Sequence, residues 1–151
     1  IVFTTESNEV EFIEMKPSYK TANFAAGYIL QGGSLSSKVT PFWDNKIEGQ
    51  LQIVQVSDTG LDTTHCFFEQ DGDVTKDKSG SWQPDKRKVV QYYSFRDKTD
   101  YSQGHGTHVA GTVSGYASKS PRHKGVAYES KLAIFDSADE WGFILPVLKK
   151  D

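Results

Sequence analysis

The chain has 151 residues, of which 36% are hydrophobic and 25% are charged, and its formal net charge is −3. This balance is typical of one globular domain, and the apolar runs are far shorter than the roughly 20 residues that span a bilayer. Acidic residues interrupt the basic positions Lys76, Lys78, Lys86, Arg87 and Lys88, which favours a solvated loop over a nucleic-acid patch. We therefore expect neither a membrane segment nor a nucleic-acid partner.

The first third of the chain has only weak signals for regular structure. Residues 9–14 alternate roughly between polar and apolar side chains, as in a half-buried strand. Residues 21–31 predict a short helix that ends at the pair Gly32-Gly33. Residues 34–48 predict a linker in which Trp43 is an anchor.

The remainder predicts strands that alternate with helices. Three segments rich in β-branched and aromatic residues predict strands: residues 51–56, which we expect to be buried, 88–95 and 131–136. Residues 69–87 predict a surface loop. Helices are predicted over 104–115, where small residues allow close packing on a sheet, and over 141–150. This order predicts βαβ units and hence an α/β fold with a parallel sheet.

Two residues stand where such a sheet places functional groups. Asp58 follows the first predicted strand, and the carboxyl ends of parallel strands are where sites are built. His105 lies between two glycines at the start of the 104–115 helix, so other groups can approach its ring closely. An Asp that accepts Nδ1–H of a His fixes the ring's tautomer, and the His can then act as a general base near neutral pH.

The segments around these two residues resemble known signatures. Residues 56–62, Val-Ser-Asp-Thr-Gly-Leu-Asp, and 104–112, Gly-His-Gly-Thr-His-Val-Ala-Gly-Thr, are similar to the Asp and His motifs of the subtilases, a family of serine proteases. The order of Asp before His, 47 residues apart, agrees with that family. The likeness covers residues 40 to 136 and is greatest to the oxidatively stable alkaline protease branch. It implies a subtilisin-like three-layer fold.

The resemblance assigns roles to three residues. Asp58 is implied as the triad Asp and His105 as the triad His. His108 is implied as the second, structural histidine of the motif, which we expect to be a packed residue. The substrate implied is a polypeptide, and the location implied is secreted or extracytoplasmic. No cofactor is implied; many subtilases bind structural calcium, but Phe67 occupies one position where a carboxylate ligand is usual.

The third member of the triad is not found in the sequence. The Gly-Thr-Ser-Met-Ala segment that carries the subtilase nucleophile does not occur in these 151 residues. We therefore expect an incomplete fold, inactive by itself, with Ser supplied from beyond Asp151. The resemblance implies a propeptide tail over 1–20, the start of the mature enzyme over 21–47 and part of the catalytic domain over 48–151. The partner of Cys66 stays open.

Other interpretations of these and neighbouring residues fit the sequence less well. His105 and His108 are spaced as on one helix face, but no Glu lies between them as in a His-Glu-x-x-His zinc helix. Residues 71–77 present oxygen ligands at alternate positions without the glycine and terminal Glu of an EF-hand loop. The Asp-Thr-Gly of an aspartic protease would leave the His segment unexplained. A non-catalytic pseudoprotease or interaction module on the same scaffold remains the main alternative.

Overall fold

The computed structural model describes residues 25–34, 36–100, 104–139 and 142–143. Its helices and strands follow one another in this order: α1 (Ala26–Gly32), α2 (Pro41–Asp44), β1 (Ile53–Asp58), β2 (Lys76–Asp77), β3 (Val89–Ser94), α3 (His105–Ser114), β4 (Lys131–Asp136), β5 (Ala138–Asp139) and β6 (Gly142–Phe143). The strand predicted over 9–14 and the propeptide predicted over 1–20 lie outside these described residues.

A four-stranded parallel sheet with the order β1-β4-β3-β2 forms the centre of the fold. The prediction of an α/β fold with a parallel sheet is confirmed. Strands β1 and β4 run in full register, so that Asp58 and Asp136 are paired at their carboxyl ends. Helix α3 connects β3 to β4 and packs on one face of the sheet, where it contacts β1. The described residues thus form the sheet and one helical layer of the predicted three-layer fold.

The hydrophobic core lies between α3 and that face of the sheet. Period-two alternation of the strands directs Val56, Leu132 and Ile134 towards Ala110 of α3, and all four are buried. The opposite face carries a stack of the partly buried rings of Tyr93, Phe95 and Phe135. On the α3 side, burial of Val56, Leu132 and Ile134 at roughly 1.5–3 kcal/mol each is what holds the helix on the sheet.

Strand β1 differs from its prediction. It begins at Ile53 rather than residue 51, and its side chains alternate between exposed and buried instead of being buried throughout. The reason is that, among the described strands, β1 is at the edge of the sheet and only the face towards α3 is covered. Ile53, on the other face, is 48% exposed.

Two further predictions were wrong in part. The predicted loop over 69–87 contains the short strand β2, whose polar residues give no hydrophobic signal. The helix predicted over 141–150 is contradicted at 142–143, which pair with β5 as an antiparallel strand. The rest of that segment lies outside the described residues. In contrast, the helix at 104–115 and the strands at 88–95 and 131–136 are confirmed to within about one residue.

The predicted linker over 34–48 contains the short helix α2, and Trp43 anchors this segment as predicted. Gly33, in a left-handed conformation, caps the C-terminal end of helix α1, and residues 21–24 of the predicted helix lie outside the described part. Trp43 of α2 donates its indole N–H to the carbonyl of Val126 and packs edge-on against Tyr128. Lys124 lies over both of these rings. In the part of the chain that the structure describes, no helix combines the length and apolarity needed to cross a bilayer.

Lys88 corrects the prediction of a solvated basic loop. It is only 2% exposed, and its ammonium group donates to Ser114 Oγ at 3.2 Å and to the carbonyls of Tyr128 and Ser130 at 2.7 and 2.8 Å. Burial, together with a smaller effect of the neighbouring charge of Arg87, lowers the pKa of Lys88 to about 8. The buried ammonium therefore joins the start of β3, the end of α3 and the turn before β4.

Candidate active site

Asp58 is held at the carboxyl end of β1 by the backbone around it. Its own carbonyl accepts the N–H of Ser137 at 3.0 Å, which ties it to the residue after β4. Its carboxylate Oδ1 accepts the N–H of Thr59 at 2.7 Å. The side chain is 8% exposed, so this charge is largely withdrawn from water and needs polar partners.

His105 is the first residue of α3, and its placement depends on how closely the helix approaches the loop after β1. Gly106 donates its N–H to Thr59 Oγ1 at 2.9 Å. A Cβ atom on Gly106 would collide with the carbonyl of Gly60. Gly60 itself has a φ of +113°, and a Cβ there would collide with the carbonyl of Thr99. Only glycine fits at these two positions, which brings the Asp and His segments together.

The structure brings Asp58 and His105 into direct contact. Nδ1 of His105 lies 2.7 Å from Oδ1 of Asp58, although the two are 47 residues apart in sequence. Because the carboxylate can only accept, Nδ1 carries the proton, and the neutral ring then offers Nε2 as its acceptor. The His105 side chain is 57% exposed, so Nε2 is accessible to a group from outside this part of the molecule. This is the geometry of an oriented general base.

A buried polar pair that the sequence reasoning missed lies under the Asp58 loop. The hydroxyl of Tyr92 accepts the N–H of Leu61 at 3.2 Å and donates to Oδ2 of Asp136 at 3.0 Å. Burial raises the pKa of Asp136 to about 7, and burial also raises the pKa of Tyr92. Both side chains are fully buried. Through the bond to the Leu61 N–H, Tyr92 and Asp136 thus hold the turn that follows Asp58.

His108 differs from its expected surroundings. It was predicted to be a packed residue, but it is exposed on α3. The buried side of the helix is made by Gly106, Ala110, Gly111 and Ser114, and His108 is not among them. The two histidines of the motif therefore differ in kind: His105 contacts Asp58, whereas His108 lies on the outer side of the helix.

The residues near Phe67 do not fit a calcium ion. The Phe67 side chain offers no oxygen, and its carbonyl already accepts the guanidinium of Arg87 at 3.0 Å. Arg87 also donates to the carbonyl of Glu69 at 2.7 Å. Within the described ranges, no group of three or more His, Cys, Asp or Glu side chains is arranged to hold a metal ion. Cys66 is an exposed free thiol in this part of the chain.

Comparison with known proteins agrees with the geometry of this site. The model of the Subtilase family matches residues 49–143. The Serine protease/ABC transporter B family protein tagA of Dictyostelium discoideum is 36% identical over 141 residues, which cover 90% of this chain and 7% of the relative. The similarly described tagD protein of that organism is 33% identical over 97% of this chain and 8% of its own length.

A third such relative, tagB, is 32% identical over 87% of this chain and 7% of its own length. The chain therefore spans less than a tenth of the length of these curated relatives. No solved structure gives a significant match. The family model covers more than half of the chain and includes both Asp58 and His105. The resemblance seen in the sequence is thereby confirmed, and the chain belongs to the subtilase family of serine peptidases.

Proposed function

We propose that Asp58 and His105 act as the orienting carboxylate and the general base of a serine endopeptidase. The observation that carries this proposal is the 2.7 Å contact between His105 Nδ1 and Asp58 Oδ1. Membership of the subtilase family supports the reaction class, and the exposed His105 ring supports a role in proton transfer to a group outside the described residues.

The reaction follows from this arrangement. Nε2 of His105 takes the proton of a serine hydroxyl as its oxygen attacks the carbonyl carbon of a peptide bond. The carboxylate of Asp58 stabilises the imidazolium that forms. His105 then returns the proton to the departing amine, leaving an acyl-enzyme that water hydrolyses by the same proton transfers in reverse order. The substrate is a polypeptide, and no step requires a metal or cofactor.

The proposal also needs a nucleophilic serine, and this sequence contains no serine in the motif that carries the nucleophile of subtilases. We infer that it comes from residues beyond Asp151, because none of the 151 residues lies in a Gly-Thr-Ser segment. Residues 1–151 by themselves should then hydrolyse no peptide, since loss of the nucleophile alone costs about a millionfold in such triads. As part of the same proposal, the full-length peptidase acts outside the cytoplasm.

The test uses the full-length gene product with a casein substrate and a fluorophosphonate probe, which labels activated serines covalently. Asp58→Asn should lower kcat by about 10⁴-fold and His105→Ala by about a millionfold. Both should abolish labelling. His123→Ala removes another exposed imidazole and should change kcat by less than about threefold. If wild-type protein is folded yet neither cleaves casein nor reacts with the probe, the non-catalytic module is the better account.

A further inference from the structure

Asp100, in the connection between β3 and α3, bridges the two segments of the site. Its Oδ1 accepts the hydroxyl of Thr59 at 2.6 Å, and its Oδ2 accepts the backbone N–H of Thr107 at 2.8 Å. Thr59 directly follows Asp58, and Thr107 lies in the first turn of α3, where N–H groups have no partner within the helix. One carboxylate therefore joins the loop after β1 to the helix that begins with His105.

The hydroxyl of Thr59 has a single proton and two carboxylates near it. Its Oγ1 lies 2.6 Å from Oδ1 of Asp100 and 3.2 Å from Oδ1 of Asp58. The same oxygen accepts the N–H of Gly106 at 2.9 Å, so only one donation remains to be made. The shorter distance assigns that proton to Asp100.

This assignment matters because Oδ1 of Asp58 is also the atom that contacts His105. It already accepts the N–H of Thr59 at 2.7 Å and faces Nδ1 of His105 at 2.7 Å. If Asp100 did not take the Thr59 proton, the hydroxyl could turn to Asp58 and become a third donor to the same oxygen. A carboxylate oxygen shared among three donors holds each of them less strongly, and His105 would be less firmly oriented.

We propose that Asp100 is a positioning residue for the Asp58–His105 pair, acting through the hydroxyl of Thr59. It fixes the start of α3 against the loop after β1 and keeps the Thr59 proton away from the oxygen that orients His105. This inference rests on the proposed function, since it concerns the same pair of residues. Asp100 itself has no contact with the ring of His105 among the bonds described above, and its effect on the reaction is indirect.

The experiment measures kcat and KM separately in the full-length protein, with kcat expressed per active site titrated by fluorophosphonate. Asp100→Ala should lower kcat by about 10- to 100-fold with KM changed less than about threefold, because misplaced catalytic groups slow the chemical step. Asp100→Asn keeps the shape but has one acceptor oxygen for two donors, and an intermediate loss is expected. Asp97→Ala is the matched control: its carboxylate binds Thr99 in the same connection and touches neither Thr59 nor Thr107.

A double-mutant cycle tests whether the effect passes through Thr59. Thr59→Val should lower kcat at least as much as Asp100→Ala, and adding Asp100→Ala to it should cost less than about threefold more. Thr59→Ser retains the hydroxyl and should keep kcat within about threefold of wild type. Independent, fully multiplicative losses in the double variant would overturn the proposal, as would an Asp100→Ala variant that behaves like Asp97→Ala.

The outcomes also separate this inference from the function on which it depends. If Asp58→Asn and His105→Ala leave activity unchanged, the proposed function fails. If those two variants abolish activity while Asp100→Ala keeps its kcat per titrated site, only the positioning role fails. Melting temperatures of every variant identify losses that come from unfolding, and Asp100→Asn provides the comparison if Asp100→Ala does not fold.

Discussion

Replacing Asp136 with Asn should remove a pH dependence of the protein's stability, which arises from this buried carboxyl group beneath the candidate site. The Asp136 side chain is fully buried, its Oδ2 accepts the Tyr92 hydroxyl, and its Oδ1 has no hydrogen-bond partner among the described residues. Burial, with smaller contributions from nearby acidic groups, raises its pKa from 3.8 to about 7. The folded protein therefore holds a proton that the unfolded chain releases at lower pH.

The sign and the size of the effect follow from this difference. Between about pH 4 and pH 7 the folded state binds more protons than the unfolded state. The contribution of Asp136 to the unfolding free energy is therefore fully present below about pH 4 and is lost as the pH rises through 7. A gap of about three pH units, at 1.36 kcal/mol each, corresponds to at most about 4 kcal/mol of unfolding free energy. In Asp136→Asn this contribution to the pH dependence should vanish.

Denaturant unfolding at several pH values between about 4 and 8 gives, for wild-type and variant protein, the slope of the unfolding free energy against pH. The slopes are compared rather than the absolute stabilities, because the new amide nitrogen would lack an acceptor at all pH values. Tyr92→Phe gives a second measurement. The bond from the Tyr92 hydroxyl lowers the pKa of Asp136, so its removal should move the loss of stability to higher pH. Asp85→Asn, on an exposed acid, serves as the charge-matched control, and an equal pH dependence of stability in wild type and Asp136→Asn would refute the reasoning.

Two further variants test how the site is held. Lys88→Met removes the three hydrogen bonds of the ammonium, leaves the Tyr128 carbonyl without this donor and should cost about 3 kcal/mol in chemical unfolding. Lys78→Met, on an exposed lysine, should cost less than about 0.5 kcal/mol, and equal costs would argue against the buried role. Gly106→Ala should separate α3 from the Gly60 carbonyl and lower kcat about 100-fold in the peptidase assay. Gly111→Ala meets only a side-chain contact at 3.6 Å, so comparable losses in both glycine variants would contradict this account.

The parts of the fold that the sequence predicted are those with strong local signals. The strands β3 and β4 are continuous β-branched and aromatic runs, and α3 lies in a highly specific motif. The pairing of Asp58 with His105 was predicted from the resemblance to the subtilase motifs, and the geometry of a parallel sheet, in which strand ends and helix starts meet at one edge, is compatible with it. That reasoning needed no knowledge of the intervening 46 residues.

The features that the sequence did not predict have a shared physical cause, since each is determined by tertiary contacts. Strand β2 consists of Lys76 and Asp77, whose pairing depends on β3 being in place and not on their own propensities. Lys88 has the composition of a surface residue, and it is buried only because three oxygens from distant segments surround its ammonium group. A helix was expected at 142–143 from local pattern, but these residues pair with β5 as an antiparallel strand instead.

Asp136 is the miss for which a signal was present. The strand Lys131-Leu132-Ala133-Ile134-Phe135-Asp136 alternates with period two, so Asp136 shares a face with Leu132 and Ile134. Leu132 and Ile134 are predicted core residues, so Asp136, which ends the strand on the same face, must be buried as well. A carboxyl group in that position needs a hydrogen-bond donor or a proton. The structure supplies both, through the Tyr92 hydroxyl and a pKa raised to about 7, beside the strand end that carries Asp58. Alternation could therefore have identified this second acid of the site from sequence, although only the structure shows that Tyr92 connects it to Leu61.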